Sequence, residues 1–200
     1  VSISTNTTYS STLDFNITGI DPNESYTLYY TTTDPSTSLS VGSSSSGSYD
    51  YNSDIYSSGS SSFSNTSGPI FTSGTYYAVL KDMNDIVAGY SSGATVTAPT
   101  MSISLSSNSA KADYSVSGLV PNNDYTVYFS TTDPSGTETV GSDYNGSSTI
   151  SSSISSPSGT SASGTSNTLY STGTYYAVLV QNGKVAAFSS GVSITAPNIG

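Results

Sequence analysis

The stretch SGTYYAVL at positions 73–80 returns as TGTYYAVL at 172–179. Self-similarity at a fixed period is the signature of a repeated structural unit, and it constrains the fold more than any single residue does. The correspondence extends along the chain. VSIS at 1–4 matches MSIS at 101–104, FNITGIDPNESYTLYYTTTDPS at 15–36 matches YSVSGLVPNNDYTVYFSTTDPS at 114–135, and VAGYSSGATVTAP at 87–99 matches VAAFSSGVSITAP at 185–197. The offset drifts from 100 to 98, so small insertions separate two copies of one module. The repeat predicts two domains, 1–99 and 100–200, with the boundary near Pro99 to Met101.

Within a copy, apolar residues alternate with polar ones instead of recurring every three or four. Leu13, Phe15 and Ile17 fall on one face and Asp14, Asn16 and Thr18 on the other, and Tyr114 and Val116 repeat this in the second copy. Period-two alternation with β-branched and aromatic residues predicts half-buried strands, and no segment reads as a helix. In VLVQNGKVAAF at 178–188, Asn182-Gly183 suits the positive φ angles of a type I′ turn, so TYYAVLV and KVAAF form a hairpin. The first copy replaces that turn with the longer KDMNDI. Val41, Tyr49, Tyr51, Ile55, Tyr56 and Phe63, and later Ile150 and Ile154, mark short edge strands with mobile connections inside the Ser/Gly-rich tracts. About seven strands per copy point to a β-sandwich.

Composition removes most chemistry. The chain has no Cys, His or Trp, its three cations are Lys81, Lys111 and Lys184, and its net charge is −10. Without His the usual general base and zinc ligand are missing, and without Cys there is no disulfide or thiolate metal site. A nucleic acid partner needs a basic surface that this chain lacks. No apolar run is long enough to cross a membrane, and Val1-Ser2-Ile3-Ser4 does not read as a signal peptide, so the sequence reads as a mature or excised chain. Ser and Thr fill more than a third of the residues, a secreted, surface-type composition.

TGTYYAVLVQNGKVAAFSSGVSITAP at 172–197 resembles the closing hairpin of immunoglobulin-like modules in secreted prokaryotic proteins. GLVPNNDYTVYF is similar to the segment of fibronectin type III domains that carries a tyrosine corner, although there it lies late in the domain and here it lies early. The resemblance implies an all-β chain of two tandem immunoglobulin-like, fibronectin III-like β-sandwiches. The Ser/Thr/Tyr-rich, Lys-poor tandem with sequons also resembles the thread filament subunits of Sulfolobales archaea. That resemblance implies glycosylation and assembly by donation of a strand to a neighbour.

Candidate sites follow. Asn6, Asn16, Asn23, Asn65 and Asn145 begin Asn-x-Ser/Thr sequons and are the expected N-glycan acceptors. Asn16 is the best placed, because the alternation that buries Phe15 and Ile17 turns it outward. KDMNDI and YDYNSD gather carboxylates and amides but lack the order of a calcium loop, so no metal or cofactor is expected. Serine is abundant, yet a His-free chain holds no triad, and no catalytic role is assigned. Lys111 is the one lysine placed for an internal isopeptide, and the position is not duplicated. In TYYAVL both faces are apolar, so Tyr76, Ala78 and Leu80 fill the core while Tyr77 and Val79 form either a wet outer surface or a contact with a neighbouring subunit or glycan.

These observations predict a structural subunit of an extracellular, glycosylated, pilus- or thread-like filament, a homopolymer at the cell surface joined head to tail. Residues 1–9 are the expected donor strand, and Val1, Ile3 and Ile199 the expected subunit contacts. The alternatives are a fragment of an adhesin or S-layer-associated stalk that binds carbohydrate or another surface, and an accessory module of a secreted enzyme.

Overall fold

A computed structural model describes residues 2–6, 9–45, 49, 51–56, 59–148, 150–155 and 157–196, with the backbone alone for Ser2–Thr5 and Tyr51–Tyr56. The chain divides into two compact units, Val1–Thr97 and Ala98–Gly200. In the first, the strands are β1 (Ser2–Thr5), β2 (Leu13–Thr18), β3 (Ser25–Thr31), β4 (Tyr51–Tyr56), β5 (Ser62–Thr66), β6 (Gly74–Asp82), β7 (Val87–Tyr90) and β8 (Ala94–Val96). In the second they are β9 (Thr100–Leu105), β10 (Ala112–Ser117), β11 (Tyr125–Ser130), β12 (Ile150–Ile154), β13 (Ser161–Thr165), β14 (Gly173–Gln181), β15 (Lys184–Phe188) and β16 (Val192–Ile194). Among the described residues the only helical turns are single 3-10 turns at Pro35–Thr37 and Pro134–Gly136, each capped by the preceding aspartate.

Each unit is an antiparallel immunoglobulin-like sandwich. A sheet β1-β2-β5 faces a sheet β4-β3-β6-β7, and β8 pairs with β6 beyond the end of β7; in the second unit β9-β10-β13 faces β12-β11-β14-β15, with β16 on β14. The alternation read from the sequence becomes the core. Leu13, Phe15 and Ile17 meet Tyr26, Leu28 and Tyr30 and then Tyr76, Ala78 and Leu80. Tyr114, Val116, Tyr125, Val127, Phe129, Tyr175, Ala177 and Leu179 are buried in the second copy. Burial of this apolar area drives folding in a chain with no cross-links.

Serine hydroxyls splice the strands where the ladders break. Between β7 and β8, and between β15 and β16, the sequence reads SSG. There the Ala78 N–H donates to Ser91 Oγ and the Ser91 N–H to the Ala78 carbonyl, both at 2.9 Å, and Ala177 with Ser189 repeats the exchange at the same distances. Ser67 does the same for Leu13, and Ser166 for Ala112, at the other sheet. The following glycines are required by close approach: a Cβ at Gly93 would fall 3.0 Å from the Tyr77 ring, and one at Gly191 2.9 Å from the Tyr176 ring.

The type I′ hairpin forms as read, with Asn182 at φ 49° and Gly183 at φ 78°. The tyrosine of the fibronectin-like segment also folds back on its loop, but between the second and third strands of the unit. Tyr125 Oη accepts the Val120 N–H at 2.9 Å, and Tyr26 Oη accepts the Asp21 N–H at 3.1 Å. The edge-strand reading holds for Tyr51–Tyr56, Ser62–Thr66 and Ile150–Ile154, whereas Val41 lies in an exposed turn and Tyr49 outside any strand.

Of the expected donor strand, Ser2–Thr5 pair with Asn16–Leu13 of their own unit in this structure, and the Asn6 N–H reaches the Thr12 carbonyl. The reason is the cost of an unpaired edge, since the backbone groups of β2 take the nearest strand that can satisfy them.

Within the second unit the chain enters at one end and leaves at the other. Thr100 starts β9 opposite Ser117, the last residue of β10, while Ile194 ends β16 opposite Gly173, the first residue of β14. The Thr195 N–H then bonds Ser109 in the turn before β10.

Candidate functional site

The outer face of the three-stranded sheet is paved with hydroxyls. In the second unit the register aligns Ser104, Asp113 and Thr165, then Ser102, Ser115 and Ser163, then Thr100, Ser117 and Ser161. Thr165 donates to Asp113 at 2.6 Å and the Thr100 and Ser117 hydroxyls lie 2.7 Å apart. The first unit repeats the Asp14–Thr66 bond at 2.6 Å and places Asn16, exposed, on its central strand between Ser2 and Ser64.

The outer face of the five-stranded sheet differs from the sequence reading. Val79 and Val178 are buried, and so are Lys81 and Val180 beside them. The cover is the segment after β3 or β11, which crosses this face as a strap and ties to the far edge. Gly42 N–H bonds Val87 O, Val87 N–H bonds Ser43 O, and Ser45 N–H bonds Asp85 O; Gly141, Ser142 and Tyr144 repeat the pattern on Val185 and Gly183. The outer face of TYYAVL is thus internal at Val79 and Val178, half exposed at Tyr77 and Tyr176, and exposed at Thr75 and Thr174.

Beneath the two straps the chemistry diverges. In the second unit Tyr128 stacks on Tyr144 at 4.7 Å, and Val140, Val178, Val180, Val185 and Phe188 complete a small apolar cluster. In the first, Lys81 replaces Val180. Its ammonium lies 5.0 Å from the Tyr29 centroid and 4.6 Å from that of Tyr49, donates to the Ser45 carbonyl at 2.6 Å and meets Asp85 at 3.7 Å. A buried cation is tolerated because two π faces, a carbonyl and a carboxylate replace its water.

A cavity opens at the same place in both units, where the strap leaves the sheet. In the second it measures about 240 Å³ and its lining includes Thr132, Thr137, Glu138, Tyr144, Asn145 and Ser147. In the first it measures about 170 Å³, walled by Thr33, Ser38, Leu39, Ser45 and Tyr49. Burial raises the Tyr144 hydroxyl above the ordinary tyrosine value, with the Glu138 carboxylate adding to the effect. Asp133, whose carboxylate accepts the Ser135 N–H at 2.9 Å, is held below the usual aspartate range by that bond and by the Ser135 hydroxyl.

The structure disperses the sequons. Asn6 donates to Asp14 at 2.7 Å, Asn23 to Asp21 at 3.2 Å and Asn145 to the Asp143 carbonyl at 3.0 Å, while Asn65 accepts the Thr66 N–H at 2.8 Å. Asn16, Asn23, Asn65 and Asn145 are exposed, and Asn6 is half-buried. Val1 and Ile199 lie outside the described residues, and Ile3 sits on β1 opposite Phe15. KDMNDI is used as a turn: one Asp82 oxygen accepts the amides of Asn84 and Ile86, each at 2.8 Å. Among the described residues no three acidic side chains gather as a metal site, and no helix is long and apolar enough to cross a membrane. Lys111 lies just before β10, and its N–H bonds the Asn108 carbonyl. The strap and its cavity were missed in the sequence, although the repeated DPS…VG of 34–42 and 133–141 was the signal for them.

No protein-family model and no curated protein matches the chain. Solved structures that resemble it include a biofilm-associated protein domain, at 15% identity and TM-score 0.29 over 98% of this chain and 29% of that one. The Escherichia coli adhesin FdeC is similar at 14% identity and TM-score 0.34 over 98% and 63%, and domains 3 and 4 of rat CD4 at 12% and 0.29 over 97% and 100%. The chain therefore spans less than two thirds of the first two. Likenesses this distant carry no argument about function.

Proposed function

We propose that the chain is a non-catalytic structural subunit of a glycosylated extracellular filament, built from two tandem modules and joined head to tail at the cell surface. The observation that carries this reading is the repeated module, which the chain enters at one end and leaves at the other, as the second unit shows. A module wired in this way extends a chain with each copy, and a heterologous contact that does not close continues the series as a fibre. The composition agrees, since neither copy carries His or Cys with which to build a nucleophile–base pair or a transition-metal site.

The join we propose uses Val1 and Ile3 of one copy and Ile199 of another. Ile199 follows TAPN as Met101 follows TAPT, so a noncovalent junction would imitate the covalent one. Strand donation by residues 1–9 is the mechanism we attach to it, and it requires Ser2–Thr5 to exchange out of their pairing with β2. Negative-stain electron microscopy of the purified chain tests the reading. Fibres with a regular axial repeat are expected; dispersed single molecules at high concentration would favour an adhesin or stalk fragment instead.

A further inference from the structure

The two straps share a backbone but not a chemistry, and the difference falls at the cavity. Residues 34–42 and 133–141 both read as an aspartate-capped turn followed by Val-Gly, with the Pro35 and Pro134 carbonyls accepting the amides of Leu39 and Glu138 at 2.8 Å. Hydroxyl side chains line both cavities, but where the first has Leu39 the second has Glu138, so only the second carries a carboxylate. The second strap carries the sequon Asn145-Gly146-Ser147 at the rim, and the corresponding run 43–49 contains no asparagine. The carboxylate at the cavity and the sequon therefore occur together, in one copy and not in the other.

We infer that the cavity of the second unit is the seat for the first sugar of a glycan carried by Asn145. Asn145 is exposed and lines the cavity, so a sugar on its Nδ2 starts at the rim. The wall is the edge of Tyr144, held in place by stacking on Tyr128 and by the close approach of Gly146, where a Cβ would strike the ring. Glu138 offers a carboxylate acceptor, and Thr132, Thr137 and Ser147 offer hydroxyls, the groups that a ring bearing several hydroxyls can bond. At about 240 Å³ the cavity is below the ~300–1,000 Å³ of ordinary ligand pockets, which restricts it to a single ring. Such a shallow seat holds a free sugar weakly, but a tethered one is present at an effective concentration on the order of millimolar or more. The seated sugar would pin the strap over the Tyr128–Tyr144 cluster.

This inference rests on the reading of the chain as a glycoprotein, and its test separates the two. The chain has no cysteine, so Asn145→Cys can be alkylated uniquely with an N-acetylglucosamine iodoacetamide, and with plain iodoacetamide as the control. Amide exchange of residues 144–148 should slow about 5- to 10-fold in the sugar-bearing protein relative to the control. Thr137→Val and Glu138→Gln should remove the protection, and the same sugar on Asn65→Cys should leave its neighbours unchanged. Equal exchange with and without the sugar overturns the seat. Peptide mass spectrometry of the native protein reads the other half: an unmodified Asn145 overturns the glycan at this position whatever the exchange shows.

Discussion

At the scale of single residues, hydroxyl groups act here as pieces of backbone. Ser189 accepts the buried Ala177 N–H, so Ser189→Ala leaves that donor without a partner and should cost about 1–3 kcal/mol, read as a lower urea midpoint with unchanged slope. Tyr30 is the opposite case: its hydroxyl is buried with no partner among the described residues, and burial pushes its pKa well above the tyrosine value. Tyr30→Phe should therefore be neutral or stabilising near pH 7. The raised pKa also fixes a pH dependence. Below pH ~10 both states hold the proton; above it the unfolded chain releases the proton and the folded one does not, so stability falls by up to about 1.4 kcal/mol per pH unit for this group. Urea midpoints at pH 8 and 11 should converge in Tyr30→Phe relative to the parent, and an unchanged gap would contradict the assignment.

Among the elements, the strap is the part that decides what each module exposes. Lys81 and Val180 are alternative solutions to filling the space beneath it, one by an ammonium between two rings and one by apolar packing. Lys81→Met keeps the buried stem and should change stability by less than about 1.5 kcal/mol, whereas Lys81→Ala opens a cavity and should cost about 2–4 kcal/mol by chemical denaturation. Equal costs would mean that the charge, not the volume, holds the strap. The strands were legible in the sequence because alternation records which face meets the core, as in Leu13, Phe15 and Ile17, and because Asn182-Gly183 has few uses other than a tight turn. The strap was not legible: its residues have no period, and the burial of Val79 and Lys81 depends on a segment about forty residues away. Of the candidate site, the sequence exposed the sequon at Asn145 but not the cavity beside it, which arises only when Tyr144 folds back over Tyr128.

For the whole molecule, the claim is that one copy continues into the next as the first module continues into the second. The absence of cysteine makes this directly measurable, since a double variant Ile3→Cys, Ile199→Cys has no other thiol with which to react. The chain should be allowed to assemble, oxidised, and run on a denaturing, non-reducing gel. Head-to-tail joining predicts a ladder of dimers, trimers and higher multimers that collapses on reduction, with neither single variant extending beyond the dimer. Monomer alone, or a dimer that never extends, would contradict it.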